Sequence, residues 1–468
     1  MKAKVSKTYL VFIAVLTAIA ATVALTSCQK GGESSSQRTT AAASAATQDE
    51  AAAATLPEGS GSAKLTESDI AVNETIENAE DGGHAIVADG ETLSYANVRV
   101  NKTGEADGDE ADFYGENAAV YAANGGTLTL KDMVVKTDGT HANAVFSYGE
   151  GTTVNIANAY IETSGNCSGG LMTTGGGTMN AENLTINTSG NSSAAIRSDR
   201  GGGTVNVTGG NYTTSGTGSP VIYSTADITV SDATMTSTAS QGVVVEGKNA
   251  VTLNNVNLTA DNNKKNSDKS SRYQAVMIYQ SMSGDAAEGA SRFAMNGGTL
   301  TNQNGDVFFI NNTATEITLN NAQITNNGNG VFLRAAAAGW GSEGSNGGQV
   351  TLNASNQIIN GDMIVDSVSH LNLYLSNNAS FTGAINSSGQ DGEVYVEIED
   401  GSIWTLTGDS YITGMTCGAN AINLNGHKLF IDGTSYTEGS ASFGDPIAVQ
   451  STGNGHGGGN PPAKPEND

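Results

Sequence analysis

Short runs that alternate apolar and small polar residues recur along most of this chain. They read TLTL at 127–130, TVNI at 153–156, TMNA at 178–181, TVNV at 204–207, ITV at 228–230 and VTL at 251–253. Successive starts fall about 25 residues apart, within the range of solenoid repeats. Alternation with a period of two predicts a strand with one face buried. A second run follows at a constant offset, as in MVV at 133–135, AYI at 159–161, LTI at 184–186, ATM at 233–235 and VNL at 256–258. A third precedes each glycine-rich turn: AVY at 119–121, AVF at 144–146, GLM at 170–172, AIR at 195–197, VIY at 221–223 and VVV at 243–245. Gly and Asn fill the corners, for example at 124–126, 174–177, 188–191 and 200–203. Both tolerate positive φ, which tight corners demand.

Three strands and three turns per period predict one coil of an all-β, single-stranded parallel β-helix. A single coil cannot bury its apolar face, but coils stacked about 4.8 Å apart pair their backbones and align like residues in ladders. Val154, Ile156, Ile161, Leu184, Ile186, Val205 and Val207 are expected inside. Thr153, Asn155, Thr178, Asn180, Thr204 and Asn206 are expected outside. The pattern is broken at 262–273, which carries Lys264, Lys265, Lys269 and Arg272, and again at 335–348, which carries Trp340. Loops leaving one side of a solenoid mark its working face. The solenoid is placed at 62–450, with about twelve coils and a length of roughly 50–60 Å from the strand spacing.

These Gly/Asn-punctuated coils resemble the right-handed β-helix superfamily, which holds pectate lyases, other polysaccharide-active enzymes and adhesin or autotransporter passengers. Right-handedness is what the resemblance implies; the spacing does not give it. The segment GSIWTLTGDS at 401–410 is similar to the closing coil of such passengers. Trp404 is read there as a plug over the last coils, since solenoids need capped ends.

The two ends of the chain read differently. Lys2, Lys4 and Lys7 precede an apolar stretch at 9–25, YLVFIAVLTAIAATVAL, so 1–27 reads as a signal peptide. The stretch is short for a permanent span. Leu25, Thr26, Ser27 and Cys28 resemble the bacterial lipobox, which implies acylation of Cys28 and a body held outside the membrane by its lipid. Residues 28–61 are rich in Ser, Ala, Thr and Gly and read as a tether, and 451–468 as a Gly/Pro-rich tail.

Composition narrows the function classes. The 468 residues include 60 Gly and 6 Pro, with 47 acidic against 21 basic residues and a net charge of −26. Such acidity disfavours nucleic acid, and repels anionic lipid and acidic polysaccharide unless cations bridge them. Cys167 and Cys417 fall on distant coils, so no bridge between them is expected. His84, His141, His370, His427 and His456 form no spaced group and are read as scattered surface residues. The densest acidic run offers a candidate calcium loop of Glu105, Asp107, Asp109 and Asp112, since calcium prefers oxygen-rich loops. The plainer reading is a solvated turn. Arg197, beside Asp199, stands at a strand–turn junction and could serve a lyase as base, although an ion pair at the surface is the simpler expectation. Tyr273 and Trp340 sit at the insertions, where aromatics could stack on sugar rings. With Arg197 they are the candidate ligand contacts. No coherent catalytic set or cofactor site emerges. The expectation is therefore a monomeric, lipid-anchored surface protein that binds a carbohydrate or host surface as an adhesin. A polysaccharide lyase or glycoside hydrolase on the same fold, and a structural envelope protein, are the alternatives.

Overall fold

The computed structural model describes residues 64–449 other than Met282 and Gln390. The readings for 1–27, Cys28, 28–61 and 451–468 lie outside the described residues. Nearly every pairing between strands is parallel, in a long sheet of 21 strands, a second sheet of 11, and small ones of 4 and 3. The coils stack in register. Thr153, Thr178 and Thr204 align, as do Val154, Met179 and Val205. This is a parallel β-helix with three strands per coil. The 11 strands of the second sheet, and the Met363–Ile385 bridge that extends it, agree with the expected number of coils.

The long sheet contains two strand stacks because each coil bends once within it. In the strand Thr153–Thr163, the bend falls at Asn158, with φ of 53°. Asn97, Asp132, Asn183, Asp232, Asn255, Asn321 and Asn356 repeat the left-handed bend in other coils. Asn and Asp enter this region at less cost than other side chains because they bond locally. Here they also bond along the stack. Asn183 Nδ2 donates to Asn158 Oδ1 at 2.9 Å, and Asn255 Nδ2 to Asp232 Oδ1 at 2.7 Å. At another corner the coils approach so closely that a Cβ on Gly165 would lie 1.9 Å from the Gly139 carbonyl oxygen, so only glycine fits.

The seven residues expected inside are buried, and their outward neighbours are partly or fully exposed. Aromatic side chains fill part of the core: Phe308 packs against Phe293 and Phe332 with centroids 5.6 and 5.5 Å apart. Trp404 is fully buried, stacks on Phe381, and donates its indole N–H to the Gly383 oxygen at 2.9 Å. One more strand, Ile422–Asn423, pairs beyond it, so the indole fills a core layer rather than lying across the end. Antiparallel pairing closes that end, between Leu429–Ile431 and Thr434–Ser435 and at the Cys417–Ser442 bridge. Cys417 is a buried free thiol and so does not join Cys167.

Candidate functional site

The second sheet carries an outward row in unbroken register: Tyr121, Phe146, Met172, Arg197, Tyr223, Val244, Met277, Phe309 and Arg334. Alternation alone would expose it. Most of it is buried instead, because loops fold over the sheet. The short helix Asp109–Tyr114 covers one part, tied down by the Thr174 hydroxyl, which donates to the Phe113 carbonyl at 2.7 Å. The 335–348 insertion covers another, with Trp340 edge-on to Tyr279 at 5.1 Å.

A buried ionic network lies between these covers. Arg197 Nη2 is 3.0 Å from both Asp112 Oδ2 and Asp199 Oδ2. His141 Nδ1 lies 2.9 Å from Asp112 Oδ1. Arg200 donates Nε to Asp285 at 2.7 Å and stacks over Phe113 at 3.7 Å. Farther along, Glu246 accepts hydrogen bonds from Tyr279 at 2.9 Å and from Tyr223. Burial would raise the Asp112 carboxyl, but Arg197 and His141 outweigh it and hold Asp112 below its ordinary value. Asp199 goes the other way, to about 7: burial dominates over Arg197, and Asp285 and Asp112 add repulsion. Burial likewise raises Glu246. The Arg197–Asp199 pair is thus interior rather than at the surface, and so is His141. His84 is half-buried and stacks on Tyr121 at 4.5 Å.

The candidate residues therefore separate. Glu105 and Asp107 are exposed, and Asp112 is buried with one oxygen on Arg197 and the other on His141. Asp109 opens the helix; its side chain lies outside the described set. Arg197 and Trp340 are enclosed. Tyr273 is not: it lines a pocket of about 350 Å³ with Arg272, Gln303, Asn304, Gly305, Asp306, Asn327, Gly328 and Asn329. That volume is within the range of small-molecule sites.

Three successive turns build this pocket, each just before a strand of the second sheet: Gln274–Tyr279, Asp306–Asn311 and Val331–Ala335. Their stacking depends on Gly305, whose φ is +75° and whose added Cβ would lie 1.9 Å from the Tyr273 oxygen. Asp306 is buried and neutralised by Arg334 Nε at 2.7 Å, and it accepts from Asn329 at 2.7 Å. Asn327 Nδ2 donates to Gln303 Oε1 at 3.1 Å, and Asn304 Nδ2 donates to the Asn262 oxygen at 2.8 Å. Gln303 Nε2, Asn304 Oδ1 and Asn327 Oδ1 make no hydrogen bond among the described residues. Exposed Arg272 makes neither hydrogen bond nor ion pair there. The pocket therefore offers an aromatic ring, one amide donor, two amide acceptors and an uncommitted guanidinium. A second, more open depression lies against residues 64–72, but there Arg99 is paired with Glu67 at 2.7 Å.

Sequence reasoning singled out Tyr273 but took its neighbour Arg272 only as a break in the pattern. The amides come from turns about 30 and 55 residues onward, and coil stacking alone brings them together. No protein-family model matches this chain, and neither a curated protein nor a solved structure matches it.

Proposed function

We propose that this chain is a non-catalytic, carbohydrate-binding β-helix displayed outside the cell, held at the membrane by a lipid on Cys28. One observation carries the binding half: the pocket where Tyr273 and uncommitted amides line stacked turns beside an insertion. Sugars are recognised by ring stacking and by hydrogen bonds to planar amides and Arg. Lipobox-like residues 25–28 support the anchoring half.

A glycan array probed with the mature chain tests the binding half. Captured glycans are expected to be lost with Tyr273→Ala while the melting temperature holds. No captured glycan, or capture untouched by Tyr273→Ala, would overturn it. Labelling cells with an alkyne fatty acid tests the anchor: label that disappears with Cys28→Ala is expected, and label that persists would refute it.

The lyase or hydrolase reading would draw on Asp199 and Glu246, two buried carboxyls with raised proton affinity. Buried carboxyls perturbed in this way are candidates for acid–base chemistry. Both residues lie under cover, so a substrate would first have to displace it. Incubation with pectin, alginate and glycosaminoglycan panels is expected to give no new reducing ends or unsaturated products.

A further inference from the structure

We infer that the pocket at Arg272 and Tyr273 is selective for an acidic sugar, a hexuronate whose carboxylate is bound by the Arg272 guanidinium. The inference rests on the carbohydrate-binding reading and adds its charge.

It runs against the chain's overall balance, so local charge has to carry it. The chain has 21 basic residues in all, yet Lys264, Lys265, Lys269 and Arg272 fall within nine consecutive positions, with Asp268 as the lone acid among them. Lys264 and Lys265 are exposed, and Lys265 brings its ammonium to 5.7 Å from the Tyr273 ring centroid, at the pocket rim. Lys269 packs where the second insertion arrives: a Cβ on Gly339 would lie 2.7 Å from the Lys269 Cα. The two insertions thus meet beside the pocket. Asp306, the carboxylate in the lining, is already spent on Arg334 and Asn329. Arg272 makes no hydrogen bond or ion pair among the described residues. It stands near a second guanidinium, Arg334, and near the carboxylates of Asp306 and Asp366, the latter accepting from the Ala337 N–H at 2.7 Å and the Ser369 hydroxyl at 2.6 Å. An unpaired cation whose neighbouring carboxylates are already engaged favours an added anion. A planar guanidinium matches a carboxylate in a bidentate fashion, and such charge-assisted bonds are the strong ones. Tyr273 beside it supplies the ring on which a sugar face can rest.

The test uses the mature chain and three matched oligosaccharide sets: hexuronates, the same oligomers after carboxyl reduction, and neutral oligomers bearing sulfate. Titration calorimetry at 50 and 300 mM salt reads affinity. Hexuronates are expected to bind about tenfold tighter than their reduced forms, the difference expected of a hydrogen bond to a charged group. Arg272→Gln should remove that preference and leave reduced oligomers within about twofold. Arg292→Gln, at an exposed position on the long sheet, should change nothing. Higher salt should narrow the gap. Equal, Tyr273-dependent binding of charged and reduced oligomers would overturn the acidic-sugar assignment while leaving a carbohydrate pocket. Preference for the sulfated set alone would overturn the carboxylate. Failure of all three sets to bind, or binding indifferent to Tyr273→Ala, would remove the pocket reading itself.

Discussion

Replacing Arg197 with Met is the sharpest perturbation of the buried network. Arg197 is the cation shared by Asp112 and Asp199, with each contact at 3.0 Å and its side chain 4% exposed. With charge centres about 4 Å apart and an effective dielectric of about 20, each attraction is about 4 kcal/mol before desolvation. Removing one member of a buried pair costs about 3–5 kcal/mol net, because the abandoned charge stays buried. Methionine keeps the stem's packing, so the loss isolates the charge. The pH dependence follows from the two carboxyls. In the native chain Asp112 is held below its ordinary value, so its contribution is present above the unfolded value near 4 and is lost as pH falls through the folded one. Without Arg197, Asp112 would rise above its unfolded value, and Asp199, already raised to about 7 in the native chain, would rise further. Each would then favour folding at low pH and lose that contribution as pH climbs. The gap between variant and native chain should therefore be about 1 kcal/mol near pH 4 and about 3–5 kcal/mol at pH 7. Urea denaturation at pH 4, 5, 6 and 7 measures it, and hydrogen exchange should show the helix Asp109–Tyr114 opening first. A loss under about 1 kcal/mol at pH 7, or one that does not vary with pH, would refute the reasoning.

Further outcomes follow from the same physics. Gly305→Ala places a Cβ 1.9 Å from the Tyr273 oxygen at a φ of +75°, so a loss of about 3 kcal/mol or more is expected by melting, with capture of glycan abolished. An unchanged melting temperature would contradict the stacked-turn account of the pocket. Lys102 is fully buried, donates to the Glu80 oxygen at 2.7 Å, and is pushed by burial down to about 8 despite Asp81 and Glu80 nearby. Its folded form binds a proton less readily than its unfolded form, so it lowers stability below pH 8 and recovers as pH rises towards 10.5. Lys102→Met should be about 1–2 kcal/mol more stable than the native chain at pH 7, with the gain gone near pH 10. A Met variant less stable at pH 7 would show that the hydrogen bond outweighs desolvation.

Much of the fold was legible because it is written in local patterns. The alternation at 153–156 and 204–207 placed Val154 and Val207 inside, and coils in register left them no other place. The bends were marked by Asn and Asp, one of which sits at the left-handed position in most coils. What alternation could not show is whether an outward residue stays outside. Arg197 and Tyr223 point out of the second sheet yet are interior, because the helix Asp109–Tyr114 and the 335–348 insertion fold over this row. Nothing in the immediate neighbourhood of Arg197 reports the arrival of Asp112, 85 residues earlier. His141 was misplaced for the same reason, since its partner is again Asp112. Trp404 read as a plug because the following coil, at Ile422–Asn423, is short and weakly patterned. The pocket was half legible. Tyr273 stood out as an aromatic beside an insertion, but its amide walls exist only after three turns have stacked.

Hydrogen exchange on the chain bound to its captured glycan tests the carbohydrate-pocket account most directly. Protection is expected to concentrate at 262–273, 303–306 and 327–330, with the outer Thr and Asn rows of the long sheet unchanged. Protection spread along those rows, with the three turns unaffected, would contradict it.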